Sequence, residues 1–407
     1  MSRIRAFTLI ELLIVIAIIA ILGSATVLVL NPIELMKQGR DGTRINDTEN
    51  IEKSIKMTLF NNPSLIDSLS PTNIYLSLPT GSCPTNPPSG YSYVCNATSA
   101  NMNKVDGTGW IPLSLQNMAT LPVDPNAGNN NDYYAFVADP VTKTFVITSL
   151  LESEKQTKLT AAKDGGTDPG RFEKGNPTLW ANASGLMGYW PMDEGMGTTT
   201  ADLSGNGNTG NVSGAWTIGK IVGGVNFDGS SSNNVDVANS TSLSFGTGSF
   251  SVSGWAFYRS YIYPRSSFII KKSAQCYSDG AANAGFDIGH SYHPDGADIC
   301  LRDANNAAIR TTLTFNSNQT PPNLQNKWSH YVFVFNRTTG RVIAYIDGIR
   351  QSNEINISSI TGSVNNNNSL TMGTLYGWQT DGVMDDIRVY NRALTADEVV
   401  SMYNANK

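Results

Sequence analysis

The stretch Arg5-Ala6-Phe7-Thr8-Leu9-Ile10-Glu11-Leu12-Leu13 opens a run that carries no charge from Leu12 to Leu30, 19 residues rich in Ile, Leu, Val and Ala. As a helix this run spans roughly 28 Å, close to the hydrocarbon thickness of a bilayer. Arg3 and Arg5 precede it, so the positive-inside rule keeps the N-terminus cytoplasmic and sends the bulk of the chain outward. A secretory signal peptide would have a shorter apolar region and then a small-residue cleavage site, which does not stand out here. Glu11 is the misfit. An acidic side chain costs about 2.5–3.5 kcal/mol at the bilayer centre, so a plain anchor would not carry one.

The remaining material is of another kind. At 407 residues the chain is long enough for two or three domains. Charged residues are only 15%, but 40% is apolar, enough to bury real cores and to exclude wholesale disorder. A net charge of -5 gives no basic footprint and argues against a nucleic-acid partner. Gly 37 and Pro 18 indicate a turn-rich, largely β chain, and three His with four Cys leave little for acid–base or metal chemistry.

The Arg5–Leu13 string resembles the N-terminal signature of type IV pilins and type II secretion pseudopilins. The resemblance implies cleavage by a prepilin peptidase between Ala6 and Phe7, with methylation of the new amino group. Ala6 stands where the family usually has Gly, and Ala is small enough for cleavage. Glu11 becomes the fifth residue of the mature chain, one helical turn from the Phe7 ammonium. Each charge can then neutralise its opposite in a neighbouring subunit, which turns a costly carboxylate into an assembly signal. Other pilins or pseudopilins and the cytoplasmic membrane are the implied partners. The expected organisation is a leader at 1–6 and a helix at 7–60 whose half at 7–30 spans the membrane.

Beyond the membrane Ile51, Ile55 and Leu59 recur every four residues. Glu49/Lys53 and Glu52/Lys56 are i,i+4 pairs, and Asp41/Arg44 and Arg44/Asp47 are i,i+3 pairs on the polar side. Pro32 interrupts the pattern and is expected to kink one continuous helix of roughly 80 Å. Residues 61–152 are expected to form a small α/β head, with Cys83 and Cys95 disulfide-bonded around a Pro/Gly/Tyr-rich loop. Gly109–Leu113, Leu121–Pro125, Asp132–Phe136 and Phe145–Thr148 resemble pseudopilin heads, some of which hold calcium. Asp124, Asn126 and Asp132 offer oxygens for it, with a solvated turn as the favoured reading. Residues 153–185, with Gly165-Gly166, Pro169-Gly170 and Asn176-Pro177, read as a linker that is part helical at its start.

From 186 to 407 the chain reads as strands. Trp328–Arg350 predicts a hairpin with Tyr331, Phe333 and Phe335 on one face, Val332 and Val334 on the other, and a Thr339-Gly340 turn. Both faces are apolar, so a second sheet should cover these strands. Thr395 and Glu398 form a capping box before a short amphipathic helix to Tyr403. Tyr189–Gly195, Asp202–Asn208, Gly223–Gly229, Trp328–Tyr331, Tyr345–Gly348 and Asp385–Leu394 resemble, in family order, the laminin-G-like, concanavalin A-like jelly roll. The expected fold is α+β: a long membrane-anchored N-terminal helix with a small α/β pilin head, then an all-β jelly-roll sandwich. The family includes binders of glycans and of proteins, so both are candidate ligands.

Asp202, Ser204, Asn206 and Asn208 put oxygens at every second position of a glycine-rich loop, a spacing that suits Ca²⁺. Ser213 stands where an EF-hand would close with Glu, so Asp385 or Asp386 would have to supply charge; the alternative is a solvated Asn/Gly turn. Cys276, His290, His293 and Cys300 lack the spacing of a zinc site, and an exported chain should oxidise Cys276 to Cys300. No paired-carboxylate string, no Gly-x-Ser-x-Gly elbow and no His in a nucleophile motif is present, and Asp385-Asp386 should point to opposite faces of a strand. The expectation is a non-enzymatic, pilin-like subunit that carries a lectin-like module. Its alternative is a pseudopilus cap or scaffold without a ligand.

Overall fold

Pro32 begins a helix instead of bending one. Residues 9–18 form α1, and α2 runs Pro32–Asn61. Proline has no N–H to lose at the first helical position. Asn31 caps it, in a left-handed conformation (φ 37°), its side chain accepting the Glu34 N–H at 3.4 Å. The expected unbroken helix from Phe7 to Phe60 is therefore corrected at this point. The computed structural model describes residues 9–18, 31–85, 87–88, 90–115, 117–127, 132–230, 232–260, 266–271, 284–290, 296–315, 324–373 and 379–406. Ala6, Phe7 and much of the expected 7–30 spanning segment lie outside the described residues. Among the described residues no helix is long and apolar enough to cross a membrane.

The lower half of α2 buries Ile51 and Ile55 against Trp110, Leu121 and Phe136, with Leu59 packed at the edge. Lys56 pairs with Glu52 at 2.7 Å and Lys53 with Glu49 at 3.7 Å on the exposed side, as the spacing requires. The upper half departs from expectation. Arg44 is fully buried, not on a polar surface. Its guanidinium donates to Asp124 at 2.7 and 2.8 Å and to Asp41 at 2.9 Å, and it pairs with Glu152 and, at 3.7 Å, with Asp132. Asp47 turns away from Arg44 and accepts the Tyr134 hydroxyl at 2.9 Å. The Asp124 region is thus a buried ion-pair centre, not the solvated turn expected for it.

The head sheet contains β1 (Asn73–Leu76), β2 (Ser92–Val94), β3 (Tyr134–Asp139), β4 (Thr144–Leu150) and β5 (Arg171–Gly175), ordered β2-β1-β3-β4-β5. Cys83 and Cys95 are bonded, with Cα atoms 5.7 Å apart. The linker expected at 153–185 is corrected by β5, which pairs with β4 from Val146↔Gly175 to Leu150↔Arg171. The segment also holds α3 (Glu154–Leu159) and α4 (Pro177–Ala183), whose Trp180 is buried on the head. Its glycines and prolines mark turns between packed elements. At Gly175 (φ 112°) a Cβ would lie 2.1 Å from the Phe145 carbonyl oxygen, so only glycine lets the strands meet there.

The jelly roll follows with β6 (Leu186–Trp190), β7 (Thr199–Thr200), β8 (Gly210–Val212), β9 (Ala215–Ile218), β10 (Gly223–Asp228), β11 (Asn234–Val237), β12 (Phe250–Ser260) and β13 (Ser266–Lys271). It continues with β14 (Gly285–His290), β15 (Gly296–Arg302), β16 (Ala308–Thr314), β17 (Trp328–Asn336), β18 (Arg341–Ile346), β19 (Ile349–Arg350), β20 (Ile355–Asn356), β21 (Leu370–Gly373) and β22 (Asp381–Tyr390). One sheet runs β19-β18-β17-β12-β22-β10-β9, with β6 on β22 and β20 on β18; the other runs β16-β15-β14-β13-β21-β11-β8-β7. Between them lies an apolar core in which Phe250 stacks on Phe335 at 4.3 Å and meets Phe286 at 4.9 Å.

The expected hairpin is β17–β18, in register from Tyr331↔Ile346 to Asn336↔Arg341. Tyr331, Phe333 and Phe335 face the second sheet, but Val332 and Val334 are covered by Val399 and Met402 of α5 (Ala396–Asn406) together with Leu186. Helix, not sheet, closes that face. The capping box forms: Thr395 N–H donates to Glu398 at 2.9 Å and Glu398 N–H to Thr395 Oγ1 at 3.3 Å. Arg392 forks onto Glu398 at 2.7 and 2.8 Å and donates to the Ser184 carbonyl, while Ser401 donates to the Leu151 carbonyl at 3.2 Å. Cys300 is disulfide-bonded, whereas Cys276 and His293 lie outside the described residues.

Replacing Arg44 with Met leaves Asp41, Asp124, Asp132 and Glu152 clustered without their shared cation. The expected loss is about 3–5 kcal/mol of head stability, the range for breaking a buried ion pair. Urea unfolding followed by tryptophan fluorescence measures it. Recovery of part of the loss in R44M/D124L identifies unpaired charge, not lost volume, as the cause.

Candidate functional site

Three groups of residues were singled out in the sequence, and the structure treats them differently. On α1, Leu9, Ile10, Leu12, Leu13, Ile14, Ile16 and Ile18 are all more than half exposed, and Glu11 is the one charged residue of the segment 9–18. A helix apolar around its whole circumference has no surface suited to water and requires lipid or neighbouring helices. Ala6 and Phe7 lie outside the described residues.

The loop 202–208 does not open towards an ion. Asp202 accepts the backbone N–H groups of Tyr189, Ser204 and Asn208, each at 2.9 Å, so both its oxygens are used. Ser204 donates to the Met187 carbonyl at 3.3 Å, and Asn206 turns its amide nitrogen to the Leu186 carbonyl at 3.2 Å. Asn208 donates to the Met187 carbonyl at 2.8 Å, while its oxygen accepts Ser240 at 2.6 Å and Ser242 at 3.2 Å. These residues pin the loop to β6, leaving no set of free oxygens. As arranged, the donor set expected for calcium is engaged with backbone and serine donors and does not fit the ion.

Asp385 and Asp386 are engaged elsewhere. Asp385 Oδ2 accepts the N–H groups of Lys220 and Ile221, each at 2.8 Å, and so clamps the turn between β9 and β10. Asp386 pairs with Arg388, whose guanidinium lies 4.0 Å from the Tyr189 ring centroid. Ser253 faces Arg388 and Trp255 faces Asp385, so β22 carries an extra residue there, and Asp386 sits at φ 56°. Ser253 and Trp255 share a face, as do Asp386 and Arg388. The bulge thus places both aspartates on one side, which corrects the expectation of opposite faces. Sequence reasoning missed Arg388, Tyr189 and Asp193, whose Oδ1 accepts Gly223 N–H at 2.7 Å. The Asp385–Arg388 charges in an otherwise apolar strand, and the Asp193-Glu194 pair just after β6, were the available signal.

The prokaryotic N-terminal methylation motif matches residues 1–27, and the concanavalin A-like lectin/glucanases superfamily matches residues 228–400. The chain joins a type IV pilin-type methylation motif to a concanavalin A-like LamG domain. The LamG match begins at the end of β10, and β6 to β9 complete the same two sheets. No curated protein matches the sequence. Among solved structures the chain is similar to the binding domain of Paraclostridial mosquitocidal protein 1, at 16% identity and TM-score 0.43, over 54% of this chain and 52% of that one. It is likewise similar to the binding domain of botulinum neurotoxin serotype G, at 18% identity and TM-score 0.43, over 54% and 50%. The chain thus spans about half the length of these structures.

Burial, reinforced by neighbouring Asp386 and Asp193, pushes the Asp385 carboxyl up from 3.8 to about 8. The folded chain therefore holds this proton where the unfolded chain has released it. Stability from this group is lost as pH rises from about 4 to about 8. D385N keeps an oxygen for Lys220 and Ile221 but carries no charge. Melting curves across that range are expected to be flatter for the variant, with a higher midpoint than wild type at the alkaline end; parallel curves refute the assignment.

Proposed function

We propose that this chain is a non-enzymatic, pilin-like subunit, cut by a prepilin peptidase before Phe7 and assembled through its N-terminal helix. In this reading the head and jelly roll are held outside the cytoplasmic membrane, in a type IV pilus or a type II secretion pseudopilus. The LamG domain is the displayed binding module, with glycans as its ligand class. The observation that carries the reading is α1: within the methylation motif it exposes apolar side chains all round and retains one carboxylate, Glu11. Lipid and neighbouring helices suit the first property, and the methylation motif supports a role for Glu11 in assembly beside the Phe7 ammonium of an adjacent subunit. The LamG match supports the display role.

Intact-mass analysis of chain purified from its native host is expected to show a methylated N-terminus at Phe7. Glu11→Ala is expected to leave membrane insertion and the folded domains unchanged while removing the subunit from sheared filaments. An N-terminus at Met1, or equal amounts of wild type and variant in those filaments, overturns the proposal.

A further inference from the structure

The hairpin of β9 and β10 ends in a tip that is exposed and yet firmly held. Ile218 is 84% exposed, Val222 65% and Ile221 40%. Asp385 accepts the N–H groups of Lys220 and Ile221, and Asp193 accepts that of Gly223, so the tip is clamped at three backbone positions. Trp216 of β9 donates to the Gly197 carbonyl at 2.7 Å and fixes the loop on which Met196 stands 78% exposed. Four large apolar side chains thus project from one ordered corner of the sandwich. Apolar residues scattered singly over a surface are ordinary, but a cluster held in place marks a contact.

The surroundings of this corner are basic. The Lys220 ammonium lies 4.8 Å from the Trp255 ring centroid. Burial lowers its pKa, and the nearby charge of Lys158 on α3 adds to that. α3 also exposes Lys155 and Leu159, and Lys163 is exposed in the turn that follows; Glu154, in the first turn, is the exposed acid of the helix. Like charges brought together in this way suit an anionic surface, and lysine stems can lie along apolar material while their heads reach phosphates.

α3 also stands near the end of the head where the stem enters. Glu152, just before it, is held by Arg40 and Arg44 of α2, and Ile45 packs on the cluster of Leu151, Ala161 and Phe172 around it. Arg40 is about 12 Å along α2 from Pro32, and the charge-free run ends at Leu30. The headgroup layer outside the hydrocarbon is roughly 5–8 Å deep. A stem tilted by about 20°, as spanning helices commonly are, brings one side of the head down to it.

We propose that the β9–β10 tip and the exposed side of α3 rest on an anionic lipid bilayer, with the apolar residues in the headgroup layer and the lysines on lipid phosphates. This rests on the reading of the N-terminal segment as a membrane anchor and adds a second contact, which orients the jelly roll before the subunit is assembled.

The test uses full chain carrying an environment-sensitive dye on Val222→Cys. A second preparation carries it on Ser358→Cys, which is exposed beside β20 at the opposite edge of the same sheet. Both are reconstituted into vesicles of phosphatidylcholine, or of phosphatidylcholine mixed with phosphatidylglycerol, that contain doxyl-labelled lipid as quencher. The dye at 222 is expected to be quenched about twofold or more when phosphatidylglycerol is present, and the dye at 358 not at all. Lys155→Glu/Lys158→Glu should abolish most of the quenching at 222 while the chain still floats with the vesicles. An unquenched dye at 222, equal quenching at 358, or quenching indifferent to phosphatidylglycerol overturns the lipid contact. A dye at 222 that is blue-shifted but unquenched also overturns it, because protein then covers the tip. Failure of the wild-type chain to float with either vesicle overturns the anchor reading itself, so the two failures are distinct.

Discussion

Arg44 fixes how the stem meets the rest of the molecule. Its guanidinium draws together Asp41 of α2, Asp124 and Asp132 of the loop before β3, and Glu152 after β4. Arg40 doubles the hold on Glu152 at 2.9 Å, and Asp41 also accepts the N–H of Ser153 at 2.7 Å. Burial opposes the charge of Arg44, but Asp124 and Glu152 outweigh it, so the guanidinium is more firmly protonated than an ordinary one. Glu152 shows the converse: burial would raise its pKa, yet Arg40 and Arg44 hold it below the usual carboxylate value. Sliding α2 by one helical turn, about 5.4 Å, would leave these charges buried and unpaired. A greasy interface would tolerate such a slip, whereas this one does not.

The second hold is at the other end of the chain. Arg392 ties the Ser184 carbonyl, before β6, to Glu398 of α5, and Ser401 of the same helix reaches back to Leu151 of the head. Glu398 serves two purposes at once: it caps its own helix and pairs with Arg392. Burial disfavours its charge, but Arg392 more than compensates and lowers its pKa to about 2.

Legibility in the sequence tracked how local each signal was. The Thr395/Glu398 box, the Trp328–Arg350 hairpin, the Cys83–Cys95 bridge and the Ile51/Ile55/Leu59 stripe depend on neighbours close in sequence, and each stands as read. Pro32 was correctly seen as a disruption, but whether proline bends a helix or starts one depended on Asn31 as a cap. The long-range partners were illegible. Arg44 looked like a surface residue because Asp41 and Asp47 are near in sequence, while Asp124 and Glu152 are 80 and more residues away. The alternating oxygens of 202–208 had calcium-loop spacing, but the same Asx geometry serves backbone N–H groups when β6 lies beside it. Residues 153–185 read as a linker because their turns are frequent, and the register of β5 on β4 cannot be inferred from composition.

The position of β22 has a mechanical consequence. It is bonded to β12 on one side and to β10 and β6 on the other, and it leads through Arg392 into α5. A pull transmitted through α5 acts along the axis of that strand. Its hydrogen bonds then bear load side by side, in shear, and must yield together instead of opening one at a time like a zipper. A load passed between head and sandwich through α5 thus meets β22 along the direction in which the sheet is stiffest.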